Sequence, residues 1–90
     1  MAEIRRRIRF YGIVQGVGFR YVTYHTANRY GVTGWVRNCF DGSVEAEFQG
    51  SERDIDAVIA DIGGSRYIQI DRMDAKDIPT ADDGYFEIRD

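Results

Sequence analysis

The chain has 90 residues, enough for one compact core and too few for two, so residues 1–90 are expected to form a single domain. With 43% hydrophobic and 30% charged residues it has the composition of a folded globule, and its net charge of −3 argues against a nucleic-acid or anionic-membrane partner. Its one cysteine, Cys39, excludes an internal disulfide and a cysteine-rich metal site.

Met1 to Phe10 is charged and lacks the apolar stretch of a secretory signal, so a cytoplasmic protein is expected. Ile4 to Val14 is rich in β-branched and aromatic residues and reads as a strand. Arg5, Arg6, Arg7 and Arg9 alternate there with Ile4, Ile8 and Phe10, which favours a structural role over a targeting signal. Gln15-Gly16-Val17-Gly18 breaks the strand. From Phe19 to Tyr30, Phe19, Val22, Thr23, Thr26 and Tyr30 share a helical face, and Gly31 supplies the left-handed residue that ends such a helix.

Val32 to Arg37 reads as a second strand, and Asp41-Gly42 turns the chain into a hairpin. In the third strand Val44, Ala46 and Phe48 alternate with Glu45, Glu47 and Gln49, which predicts one buried and one solvated face. Ser51 can cap a second helix with Glu52 and Asp54 in its first turn. Ile55, Val58, Ile59 and Ile62 form its apolar stripe, and Gly63-Gly64 ends it. The run Ala57-Val58-Ile59-Ala60 is far too short to span a bilayer. Tyr67 to about Met73 predicts a fourth strand, Pro79 to Gly84 a loop, and Tyr85 to Arg89 a short fifth strand. The order is βαββαβ with an additional C-terminal strand, the ferredoxin-like α+β sandwich with two helices on one face of a mainly antiparallel sheet. Such a fold hosts many functions, so function has to come from a site.

Two segments carry chemistry. In Gly12-Ile13-Val14-Gln15-Gly16-Val17-Gly18-Phe19-Arg20, glycines between a strand and a helix let backbone N–H groups converge beside a helix N-terminus, which suits a phosphate. Arg20 can add a planar two-pronged cation. The same residues also read as a tight turn with Arg20 on a solvated helix edge. They are neither a dinucleotide-binding fingerprint, since Tyr21 stands where a third glycine is needed, nor a Walker loop, which ends in Gly-Lys-Ser/Thr. In Gly34-Trp35-Val36-Arg37-Asn38, the asparagine amide can hold a water, or it can stabilise the turn toward Asp41-Gly42.

Together the segments resemble the acylphosphatase family. Its Gly-x-Val-Gln-Gly-Val-Gly-Phe-Arg occurs as Gly12 to Arg20, and its Gly-Trp-Val-Arg-Asn-x-x-Asp-Gly-x-Val-Glu as Gly34 to Glu45. Thr23, Ala27, Phe86 and Ile88 also fall at family positions. The chain departs from the pattern at Gly63-Gly64-Ser65-Arg66, where the family commonly has Gly-Pro. The resemblance implies hydrolysis of an acyl phosphate to a carboxylate and inorganic phosphate, the latter a competitive inhibitor. It implies that Arg20 and the backbone of Gln15, Gly16, Val17, Gly18 and Phe19 bind the phosphate, and that Asn38 positions the attacking water. No cofactor or metal is called for, and a monomer is expected. Because the leaving carboxylate has a conjugate acid of pKa about 4, it departs without protonation, so a site lacking a catalytic histidine or carboxylate pair is chemically sufficient.

Other candidates are weaker. His25 projects about 240° from Phe19 on a helical wheel, away from the apolar stripe, and reads as exposed and incidental. Cys39 beside Asn38 suits packing better than nucleophilic catalysis. Glu45 and Glu47 suit a solvated sheet surface better than a glycosidase pair. The rival functions are a catalytically idle phosphate-binding regulatory module and an RNA-binding domain of the same element order. The acidic third strand, without the aromatic signature of RNA-recognition modules, counts against the RNA reading.

Overall fold

A computed structural model describes residues 2–89. The strands β1 (Ile4–Ile13), β2 (Thr33–Asn38), β3 (Val44–Gly50), β4 (Gln69–Ile78) and β5 (Phe86–Arg89) form one sheet in the order β4-β1-β3-β2-β5. All neighbours are antiparallel except β2 and β5, which run parallel. The helices α1 (Phe19–Arg29) and α2 (Glu52–Gly63) supply Phe19 and Ala27, and Ile55, Val58 and Ile62, to a core that the sheet completes with Ile8, Phe10, Val36, Val44, Ala46 and Phe48. Phe10 meets Phe19 with ring centroids 5.0 Å apart and Phe48 edge-on at 6.5 Å, so the aromatic centre of the core joins β1 to α1 and β3.

The helix ends follow the local chemistry. Ser51 accepts a hydrogen bond from the Asp54 N–H at 3.1 Å, and Glu52 and Asp54 sit in the first turn of α2. Gly31, at φ 68°, follows α1 as expected. Ile59 is less buried than its partners in the stripe, yet still packs against the core.

Two expectations need correction. The fourth strand begins at Gln69 and runs to Ile78, five residues past its expected end at Met73. Almost all of β4 is exposed, so hydrophobic alternation could not mark its length; pairing to β1 does, from Arg5↔Ile78 to Ile13↔Gln69. The second correction concerns the face of the sheet away from the helices. It is not solvated at β3: Glu45 is 3% exposed and Gln49 7%.

Strand order explains the difference. Register sets Arg5, Arg7 and Arg9 of β1 opposite Gln49, Glu47 and Glu45. Arg5, itself 3% exposed, donates to Glu47 at 2.7 Å, to Gln49 at 3.1 Å and to Asp83 at 2.6 Å. Glu45 accepts from Arg7 at 3.0 Å and from Arg37 at 2.7 Å. The segment before β5 closes the end of this layer, where Gln49 binds the Ala81 N–H and C=O, each at 2.8 Å. Burial pushes the Glu45 carboxyl up, but the hydrogen bonds from Arg37 and Arg7 outweigh it and leave the group below its ordinary range. The pairing of Glu45 with Arg7 and Arg37 is thus intact at neutral pH and is lost as acid protonates Glu45, below the usual carboxylate titration. The arginine run is structural, as its alternation suggested. Trp35 lies beneath Arg37 and Arg89, and Tyr11 beneath Arg72, so these aromatics of the face are covered by cations rather than open to stacked bases.

At Gly34 of β2 the backbone of β3 leaves no room for a side chain. The φ of Gly34 is 135°, and a Cβ there would lie 1.9 Å from the Glu47 carbonyl oxygen. Gly34→Ala should therefore force the central strands apart and cost roughly 3 kcal/mol or more. The expected reading is a melting temperature lower by about 12–24 °C. A melt within about 3 °C of wild type would show that the sheet tolerates the methyl group.

Candidate active site

Because β1 and β2 are both antiparallel to β3, and β5 is parallel to β2, all three strands end at the same edge of the sheet. The segment after β1 and the hairpin after β2 are thereby neighbours. Gly16 and Gly18, at φ 76° and 78°, turn the chain from β1 into α1. A Cβ on either would meet nothing within 4 Å, so internal packing does not demand glycine here. Left-handed backbone does, and alternation of left-handed with ordinary residues is how N–H groups gather around an anion.

The two helix N-termini differ. That of α2 is occupied by its own Ser51, Glu52 and Asp54, whereas α1 has, among the described residues, no side-chain cap and no acid in its first turn. Its first N–H groups and the positive end of its dipole are left for something else to satisfy. Arg20, half-buried, is the second residue of that helix.

A cleft of about 400 Å³ opens at this edge, lined by Val14, Gly16, Gly18, Phe19, Arg20, Tyr21, Asn38 and Ile88. Gly16, Gly18, Phe19, Arg20 and Asn38, all singled out in the sequence, thus line one cleft. Gln15 and Val17 do not line it. Val17 packs against the core.

Gln15 instead ties the loop to the hairpin. Its amide donates to the carbonyls of Cys39 at 2.7 Å and Ser43 at 2.9 Å. The Cys39 N–H binds the Ser43 carbonyl at 2.8 Å, and Asp41 accepts from the Ser43 N–H at 3.0 Å and its hydroxyl at 2.6 Å. The bonds from Ser43 hold the Asp41 carboxyl below its usual range. Asn38, at the foot of this braced turn, is thus held relative to the glycine loop through one side chain. Sequence reasoning missed that clamp. A glutamine before a glycine pair names no partner, and its acceptors lie 24 and 28 residues away.

The remaining candidates fall outside the cleft. Glu45 and Glu47 are engaged by arginines on the opposite sheet face. Cys39 is half-buried and borders a second depression with Arg9, Arg37, Asn38, Phe40 and Asp41, so that Asn38 alone is common to it and the cleft. His25 is exposed, as expected, but not idle: its ring lies edge-on to Tyr21 at 4.4 Å and to Tyr24 at 5.3 Å. No group of three His, Cys, Asp or Glu side chains converges as a metal site would require, and no helix is long and apolar enough to cross a membrane, among the described residues.

Comparison with known proteins gives one consistent result. The acylphosphatase family model matches residues 6–88. The acylphosphatase of Bifidobacterium longum (strain NCC 2705) is 46% identical over 81 residues, covering 89% of this chain and 84% of that protein. Among solved structures, the acylphosphatase from Bacillus subtilis superimposes with a TM-score of 0.88 at 28% identity, covering 96% of this chain and 98% of that one. The acylphosphatase from Coxiella burnetii gives 0.89 at 26% identity, with 97% and 93% covered.

Proposed function

Given that this chain belongs to the acylphosphatase family and is an acylphosphatase, an enzyme hydrolysing acyl phosphates, we propose that Arg20 and the loop at the start of α1 bind the phosphoryl group while Asn38 positions the attacking water. One observation carries this assignment: an uncapped helix N-terminus, a guanidinium and an asparagine amide line a single cleft. The phosphoryl oxygens take the N–H groups and the Arg20 fork. The Asn38 amide can both accept from and donate to one water, the pairing needed to hold it against phosphorus.

The water oxygen bonds to phosphorus as the bridging P–O bond breaks. The departing carboxylate keeps that electron pair, and the proton from water passes to phosphate or solvent. A carboxylate needs no proton to leave, so positioning and charge stabilisation meet the demands of the step without a general acid. The thiol of Cys39 has no part in it. In this reading residues 1–90 act as one monomeric, cytoplasmic domain without a metal or cofactor.

The test is hydrolysis of acetyl phosphate by purified protein before and after EDTA treatment. The expected result is an unchanged rate, with inorganic phosphate inhibiting competitively. Activity lost in proportion to chelation and restored by a divalent ion would refute metal independence. Phosphate binding without any hydrolysis would favour the idle regulatory module instead.

A further inference from the structure

The cleft has a mixed lining. Beside the polar set of Gly16, Gly18, Arg20 and Asn38 stand Val14, Phe19, Tyr21 and Ile88. Val14 and Phe19 are buried at 1% and 2% exposure and form part of the core. Tyr21 and Ile88 are different: at 66% and 41% exposed they are large apolar groups left in water at the mouth of the site. Both stand on regular structure rather than on a loop. Tyr21 is in the first turn of α1, braced by the edge-on ring of His25, which in turn packs on Tyr24. Ile88 is registered beside Val36 in the parallel β2–β5 pair, two residues before Asn38 on β2.

On the catalytic reading above, every substrate shares the phosphoryl group and the carboxyl carbon, and only the remainder of the acyl group varies. That remainder has to emerge from the polar end of the cleft. We propose that Tyr21 and Ile88 form an acyl-group subsite that favours acyl phosphates with an aromatic or extended apolar acyl group over those with a short one. An aromatic acyl group seated there would cover apolar surface on both residues, whereas a methyl group is too small to bridge them. Neither side chain offers a charge, so the subsite would not reward a second anionic group on the substrate.

The probes are benzoyl phosphate and acetyl phosphate, compared as the ratio of their kcat/KM values on the same protein. In Tyr21→Ala and in Ile88→Thr, which keeps a β-branched residue in the strand, the benzoyl-to-acetyl ratio should fall roughly five- to tenfold, mainly through KM for benzoyl phosphate. Tyr21→Phe keeps the ring and should keep the ratio. Circular dichroism melts identify the folded variants. If folded Tyr21→Ala and Ile88→Thr both retain the wild-type ratio, or lose efficiency equally on the two substrates, the subsite is wrong. If the wild type hydrolyses neither probe, the catalytic reading on which the subsite rests has failed instead.

Discussion

Arg20→Ala should lose both phosphate affinity and turnover, with catalytic efficiency down roughly a thousandfold or more, about 4 kcal/mol of transition-state stabilisation. The reason is the composition of the cleft. Its other lining residues offer neutral N–H groups, one amide, the Tyr21 hydroxyl and apolar surface, so the guanidinium is the one full positive charge in that lining to meet a phosphoryl anion. Arg20→Lys should fall short by nearly as much. An ammonium has the charge but not the planar pair of donors that engages two phosphoryl oxygens at once. Neither change should unfold the domain, because the buried side chains of α1 are Phe19, Thr23, Thr26 and Ala27, and Arg20 is not among them. Steady-state kinetics on acetyl phosphate, phosphate titration by NMR and a thermal melt make the test complete. A folded variant with near-normal kcat/KM would remove Arg20 from the mechanism.

Asn38→Ala should separate the two halves of the site. If Asn38 holds the water while Arg20 and the glycine loop hold the phosphate, turnover should fall about 100- to 1000-fold while the phosphate dissociation constant moves only a few-fold. Asn38→Asp should be impaired as well, since a carboxylate can accept from water but repels the anionic phosphoryl group. The hairpin gives reason to expect that these variants fold. Its closure rests on the Cys39–Ser43 backbone pair, the Asp41–Ser43 bonds and the Gln15 amide, and none of these uses the Asn38 side chain. A folded Asn38→Ala with near-normal turnover would rule out the water-holding role. Loss of phosphate affinity as severe as in Arg20→Ala would make Asn38 a binding residue.

The arrangement also shows why a domain of this size can carry out the step. The split βαβ connection brings the ends of β1, β2 and β5 to one edge, so the glycine loop, Asn38 and Ile88 are positioned by three strands of the same sheet. Positioning by rigid elements is what phosphoryl transfer to water chiefly demands.

Much of this was readable along the chain. The Ser51 cap, the apolar stripe of α2, the turn at Asp41-Gly42 and the glycine loop ahead of Phe19-Arg20 are local features, each set by residues within a few positions of one another. The element order and the two motifs therefore determined the fold class and the candidate site residues. What only the tertiary structure decided is what each side chain touches. Alternation in β3 correctly separated Val44, Ala46 and Phe48 from Glu45, Glu47 and Gln49, but it could not tell that the second set would be dry. That depends on β1 lying next to β3 and placing arginines opposite it, a fact of strand order. The length of β4 was hidden for a related reason, because an edge strand held by backbone pairing leaves little hydrophobic pattern in its sequence. The Gln15 clamp and the presence of Tyr21 and Ile88 in one cleft were likewise invisible, because both bring together segments far apart in the chain. Periodicity reports the side of an element on which a residue lies; the identity of its neighbour is set by long-range packing, which no local pattern encodes.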